Sequence, residues 1–190
     1  MGKRILVFLS GRNDGSTNVL CDEFINGAKE SGNYVEKILV NNKNINYCLG
    51  CRACKLNKGI CIHKDDMTEI LDKIISSNII VFASPVYFYS FNAQMKAIMD
   101  RTYAKLESIK DKEAYLIISG AAPTKNYMNT IVESFEKYID CFENIELRGI
   151  IYGCGAIEKD FLKGKDVIKE AYDMGKSIIE IFPYHMLYNR

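Results

Sequence analysis

The chain has little histidine, two residues in 190, and no recognisable Ser/His/Asp or Cys/His set. That removes the usual nucleophile–base machinery from consideration. It also lacks a charge imbalance. With 25 Lys and Arg against 24 Asp and Glu, the net charge is +1, and nothing electrostatic argues for nucleic acid or an acidic membrane as partner. No apolar run reaches the ~18 residues a membrane helix needs. The opening "MGKRILVFLS" is basic, but its apolar stretch is too short for a signal peptide, and Leu6 stands where a myristoylation signal needs Ser or Thr. The expected location is therefore cytoplasmic. Neither G-x-G-x-x-G nor G-x-x-x-x-G-K-[ST] occurs, which excludes the standard dinucleotide and P-loop phosphate sites. Repeats, low-complexity tracts and long linkers are also missing. Residues 1–190 are expected to form one domain that buries roughly 70% of its unfolded surface.

Cysteine is what the chain does have: seven residues, an odd number that argues against a disulfide framework. Four lie in "YCLGCRACKLNKGICIHKDD", residues 47–66, spaced C-x2-C-x2-C-x6-C as Cys48, Cys51, Cys54 and Cys61. In a reducing compartment such clusters bind metal or carry redox chemistry more often than they form disulfides.

The rest alternates between two periodicities. Short apolar runs, "KRILVFL", "YVEKILV", "NIIVFAS", "EAYLIIS" and "IELRGIIYG", read as five buried strands. Helical spacing is expected near residues 16–31, 67–77, 91–105, 126–142 and 166–181. Gly32 is placed to end the first helix in a left-handed cap, and Asp66 with Glu69 fits a capping pair. Repeated β-α units imply an α/β, doubly wound, five-stranded parallel sheet with helices on both faces, in the flavodoxin-like order 2-1-3-4-5. Ligands of such sheets sit beyond the carboxyl ends of the strands.

The loop after the first strand, "SGRNDGSTN", offers hydroxyls at Ser10, Ser16 and Thr17, a turn at Gly15, an amide at Asn18 and one cation at Arg12, ahead of a helix N-terminus. That suits one phosphate monoester; a plain turn with Ser16 as helix cap is the alternative. After the third strand, Pro85, Val86, Tyr87 and Phe88 combine a stiff backbone with aromatic rings able to bury the sides of a planar ligand. The loop after the fourth strand, starting at Ser119, Gly120 and Ala121, is small and open. A phosphate pocket beside an apolar planar slot is what FMN needs.

With these residues in hand, the sequence resembles the NADPH-dependent FMN reductase family, and within it the iron–sulfur flavoproteins. The phosphate loop S-x-R-x-x-G-[NS]-T is matched by Ser10, Arg12, Gly15, Ser16 and Thr17, and S-P-[VI]-Y by Ser84, Pro85, Val86 and Tyr87. The D-R pair closing the next helix is Asp100-Arg101, and an acidic pair, Asp65-Asp66, follows the cysteines. Leu9 departs from the pattern, where glycine often precedes the phosphate loop. The resemblance implies a flavodoxin-like homodimer or homotetramer, and electron transfer through FMN and a [4Fe-4S] cluster. It also implies NAD(P)H as an electron donor and a ferredoxin-like or small-molecule electron partner. Relatives without the cluster reduce flavins, quinones or azo compounds.

The cysteine loop, residues 47–64, matches no ferredoxin pattern, so its four thiols would have to wrap a single cluster. Gly50 and Gly59 supply the backbone freedom for that. Zinc, or no metal, are the alternatives: structural zinc sites usually set two cysteine pairs further apart. Cys21 and Cys141 read as buried small hydrophobes, Cys154 as packing before flavin neighbour, and His63 as a solvent-exposed side chain. Lys96 and Asp100 read as a helix-surface pair.

Overall fold

A computed structural model describes residues 2–158 and 160–179. The elements are β1 (Arg4–Leu9), α1 (Ser16–Glu30), β2 (Tyr34–Leu39), α2 (Ala53–Leu56), α3 (Met67–Ser76), β3 (Ile79–Tyr87), β4 (Ser90–Phe91), α4 (Ala93–Arg101), β5 (Lys110–Gly120), α5 (Asn129–Ile139), β6 (Glu143–Cys154) and α6 (Asp166–Lys176). β2, β1, β3, β5 and β6 lie side by side in that order, all parallel, which is the expected 2-1-3-4-5 arrangement. The fold is a flavodoxin-like α/β sheet.

Alternation along the central strands explains the two covered faces. Ile5, Val7, Leu9, Val81 and Ile117 pack beneath α1 and α6. Leu6, Phe8, Ile80, Phe82 and Leu116 pack beneath α3, α4 and α5. On the first face α1 and α6 touch backbone to backbone. A Cβ on Gly27 would lie 2.0 Å from the Tyr172 carbonyl oxygen, and one on Gly175 would lie 2.0 Å from that of Phe24. Gly32 (φ +82°) turns the chain out of α1 as expected.

Several boundaries differ from the sequence reading. The third strand does not stop at Ser84; it continues to Tyr87 and folds back through β4 as an antiparallel hairpin, with Tyr87 opposite Ser90 and Val86 opposite Phe91. The following helix is therefore shorter than residues 91–105 and begins after an Asn92 cap that accepts from the Met95 N–H. Asp66 does not cap α3 with its side chain. Asp65 accepts from the Met67 N–H instead, and Asp66 accepts from the Asn44 N–H. The last helix ends at Lys176, short of its expected end at 181: residues 177–179 have left the helix, and 180–181 lie outside the described residues. No helix among the described residues is long and apolar enough to cross a membrane.

Candidate flavin and cysteine sites

At the carboxyl edge of the sheet, β1 ends and the backbone N–H of Ser10 bonds the Ala83 carbonyl at 3.0 Å, holding the first loop against β3. The loop turns where the Gly15 N–H reaches the Arg12 carbonyl, and Gly15, extended, precedes the first residue of α1. Ser16 is thus inside the helix rather than its cap. Its N–H and that of Thr17 belong to the first turn, where the helix leaves donors without intrahelical partners. The Thr17 hydroxyl lies 2.6 Å from that of Ser119, a buried pair that ties this helix start to the end of β5.

A cavity of about 450 Å³ opens there, within the usual size for a small-molecule site. Arg12, Gly15, Ser16 and Thr17 form one wall, Pro85, Val86 and Tyr87 a second, and Ser119, Gly120 and Ala121 a third. The third wall approaches closely at glycine: a Cβ on Gly120 would make a tight 3.2 Å contact with that of Val86. Three expected residues are not brought into the cavity. Ser10 is buried, its hydroxyl turned to the Ala83 carbonyl. The Asn18 side chain is held by Asp22 and Lys37, and its N–H bonds the Gly15 carbonyl. Phe88 points away: it is 101% exposed at the hairpin tip. Phe88 and Tyr89 both have positive φ, +48° and +63°, in a two-residue turn that normally takes Gly or Asn. Arg12 stands on the rim, 71% exposed, with its Nε 4.0 Å from Asp14.

The sequence reading missed Gly11 and a fourth wall, Ala156, Ile157 and Glu158 after β6. That segment is carried inward by the Ala156 N–H to Gly120 carbonyl bond (2.8 Å), a contact between loops that leaves no local sequence signal. Asn92 was missed too. Its Nδ2 donates to the Ser10 carbonyl at 2.7 Å, so the helix cap also braces the first loop. Cys154 lies outside this cavity and packs against the α3–α5 face.

The cysteine loop is closed at its base. Arg101, at the end of α4, makes a bidentate pair with Asp65 (2.7 and 2.9 Å) and donates to the Asn46 carbonyl at 2.7 Å. The Asn46 N–H and side-chain amide return to Asp65. Both charged side chains are out of solvent, Arg101 at 2% and Asp65 at 0% exposure. Burial would raise the Asp65 carboxyl. Hydrogen bonds from Arg101 and Asn46 outweigh it and hold the group well below the ordinary carboxylate value. Burial likewise disfavours the guanidinium charge, but Asp65 first, then Cys61 and Cys48, keep Arg101 firmly protonated.

Within the loop, Gly50 (φ +65°) and Gly59 (φ +82°) are left-handed as expected, and so are Arg52 and Lys58. A Cβ on Gly59 would lie 2.9 Å from the Ala104 carbonyl oxygen, so this glycine also seats the loop on the segment after α4. Cys48, Cys51, Cys54 and Cys61 line one cavity of about 540 Å³, closed from below by Met99, Thr102 and Tyr138. The Gly50 N–H already points at the Cys48 sulfur, 3.5 Å away. Among the described residues no three His, Cys, Asp or Glu side chains gather closely enough to hold a metal ion. Two expectations fail here. Cys141 is exposed just beyond α5 and lines this same cavity instead of packing as a buried hydrophobe. His63 is only partly exposed and also lines it, with Nε2 buried. Lys96 and Asp100 do form the expected exposed pair, at 2.5 Å. Cys21 is fully buried, and desolvation pushes its thiol up to about 12.

The two cavities have no lining residue in common. α4 runs from one neighbourhood to the other, with Asn92 bracing the first loop and Arg101 latching the cysteine loop. Its nine residues span about 14 Å.

Residues 4–138 match the NADPH-dependent FMN reductase family. An iron–sulfur flavoprotein of Archaeoglobus fulgidus is 32% identical over 187 residues, covering 95% of this chain and 80% of that protein. An iron–sulfur flavoprotein of Methanocaldococcus jannaschii is 41% identical over 93 residues, about half of each chain (49% and 48%). Among solved structures, an NAD(P)H:quinone oxidoreductase from Methanothermobacter marburgensis superposes with a TM-score of 0.71 at 15% identity, over 97% of this chain and 100% of that one. An FMN-dependent NADH-azoreductase from Bacillus anthracis gives 0.64 at 15% identity, over 91% and 96%. At such low identity these last two speak for the fold alone. The chain belongs to the NADPH-dependent FMN reductase family, in its iron–sulfur flavoprotein branch, and is a flavin-dependent oxidoreductase.

Proposed function

We propose that the protein exchanges electrons between FMN, held in the cavity at the carboxyl edge of the sheet, and a [4Fe-4S] cluster held by Cys48, Cys51, Cys54 and Cys61. The observation that carries this reading is that all four motif thiols line one cavity of about 540 Å³, which has room for a cluster, on a loop latched by the buried Arg101–Asp65 pair. When bound, FMN supplies two-electron and one-electron chemistry and the cluster supplies one-electron steps.

The chain's own residues divide the remaining work. The Ser16 and Thr17 N–H groups and Arg12 face a terminal phosphate, while the Thr17–Ser119 pair fixes the distance between two cavity walls. Pro85, Val86 and Tyr87 present backbone and an apolar side to a planar ring. Arg101 places a cation within electrostatic reach of Cys48 and Cys61. The exposed Tyr87, Phe88 and Tyr89 hairpin fits burial against a second copy of the chain, as a homodimer or homotetramer would provide.

A second reading has its own support. Because the flavin cavity borrows nothing from the cysteine loop, it can serve an NAD(P)H-dependent reductase that works without a cluster. Anaerobic purification followed by absorption spectroscopy and assay of iron, sulfide, zinc and FMN separates the readings. About four iron and four sulfide per chain support the first; FMN alone leaves the reductase; zinc without iron overturns both cluster and electron exchange. For the flavin site, Arg12→Ala is expected to weaken FMN by about tenfold, since the side chain is well exposed and its charge-assisted contact is partly screened. Equal affinities for FMN and riboflavin would remove the phosphate assignment.

A further inference from the structure

Among the described residues, two buried side-chain nitrogen atoms have no hydrogen-bond partner: Nε2 of His63, a residue that lines the cysteine cavity, and Nε of Arg101, which latches the base of the cysteine loop between the cavity-lining Asp100 and Thr102. Buried polar groups nearly always find partners, so two orphans on the cysteine loop and the residue that latches it ask for an acceptor that binds there. Arg101 is donor-only, and its two terminal nitrogens are already committed to Asp65 and the Asn46 carbonyl, leaving the Nε–H over. That side chain feels the Cys61 and Cys48 sulfurs electrostatically. His63 follows Cys61 by two residues, and its ring lines the cavity wall.

We infer that the His63 Nε2–H and the Arg101 Nε–H donate hydrogen bonds to sulfur of the group held by Cys48, Cys51, Cys54 and Cys61, and thereby set its reduction potential. The inference rests on the cluster reading above. Arg101 contributes a positive charge and an N–H donor, and His63 an N–H donor. Adding an electron makes the sulfurs more negative, so donors and a cation stabilise the reduced form more than the oxidised one. Both residues therefore raise the potential. They are positioning and tuning residues: neither carries electrons.

The test is an anaerobic redox titration of the loaded protein, followed by the electron paramagnetic resonance signal of the reduced cluster, in the parent, His63→Leu and His63→Gln. Iron, sulfide and FMN are counted in each sample first. Loss of the His63 donor is expected to lower the stability of the reduced form about tenfold, a fall of about 59 mV for one electron. His63→Gln, which keeps an N–H, should recover at least half of that shift. Arg101→Lys keeps the charge without the planar Nε–H and should fall by a similar amount, with circular dichroism confirming the fold. A fully loaded His63→Leu at the parent potential overturns the inference while leaving the cluster reading intact. So does an equal fall in His63→Leu and His63→Gln. A parent protein without iron and sulfide overturns both.

Discussion

Breaking the Asp65–Arg101 pair should cost more than any surface substitution, because neither partner has water to fall back on. Exposed pairs are worth about 0–1 kcal/mol, but leaving one partner of a buried pair alone typically costs about 3–5 kcal/mol. Against a total stability of about 5–15 kcal/mol for a domain, that is a large share. The structure also predicts an asymmetry. Arg101→Met leaves Asp65 accepting from the Asn46 N–H, the Asn46 side chain and the Met67 N–H, so its charge stays partly satisfied. Asp65→Leu leaves the guanidinium with the Asn46 carbonyl alone, and should be the worse of the two. The double variant replaces both charges with apolar groups and should be more stable than the sum of the single losses implies. Urea unfolding followed by circular dichroism is the assay. With a slope of about 2 kcal/mol per molar urea, each single variant should shift the midpoint down by about 1.5–2.5 M. A coupling energy near zero in the double-mutant cycle would refute the reasoning, as would a shift under about 0.5 M in both singles.

Gly175→Ala should drive α6 away from α1, because the new methyl would meet backbone that cannot rotate aside. A loss of about 1–3 kcal/mol is expected in the same urea assay, and an unchanged midpoint would show that the two helices can part without cost. Cys21, with its thiol pushed up to about 12 by burial, has about one part in 10⁴ as thiolate at pH 8. It should resist iodoacetamide in the folded protein while the exposed Cys141 reacts, as peptide mass spectrometry would reveal. The sign of the linked stability follows. Folding keeps the Cys21 proton, so its contribution is fully present below the unfolded value of about 8.5 and is lost as the pH rises toward 12. Unfolding midpoints that rise over that interval in the parent but not in Cys21→Ala would contradict this.

Much of this protein is legible without coordinates because its signals are local. A strand buried on both faces must be apolar throughout, so five such runs separated by helical periodicity announce the sheet and its order. The same holds for left-handed Gly32, Gly50 and Gly59, where missing side chains meet a backbone requirement. Ten of the thirteen residues expected around FMN line one cavity, since a loop after a strand is carried to the edge where that strand ends. The errors have the opposite character. Phe88 reads as a ring wall from its type, yet the hairpin register of β3 and β4 turns it outward, and register is a property of paired strands. Cys141 reads as packing from its apolar neighbours, but the cysteine loop, some eighty positions earlier, comes to lie beside it. The Asp100-Arg101 and Asp65-Asp66 pairs are each visible as motifs. That one residue of each joins the other in a buried latch depends on where α4 ends relative to the return of the loop. Types and spacings along the chain determine which elements form and which residues can bind. Tertiary packing decides which of them meet, because contacts between distant segments depend on the summed geometry of everything folded between them.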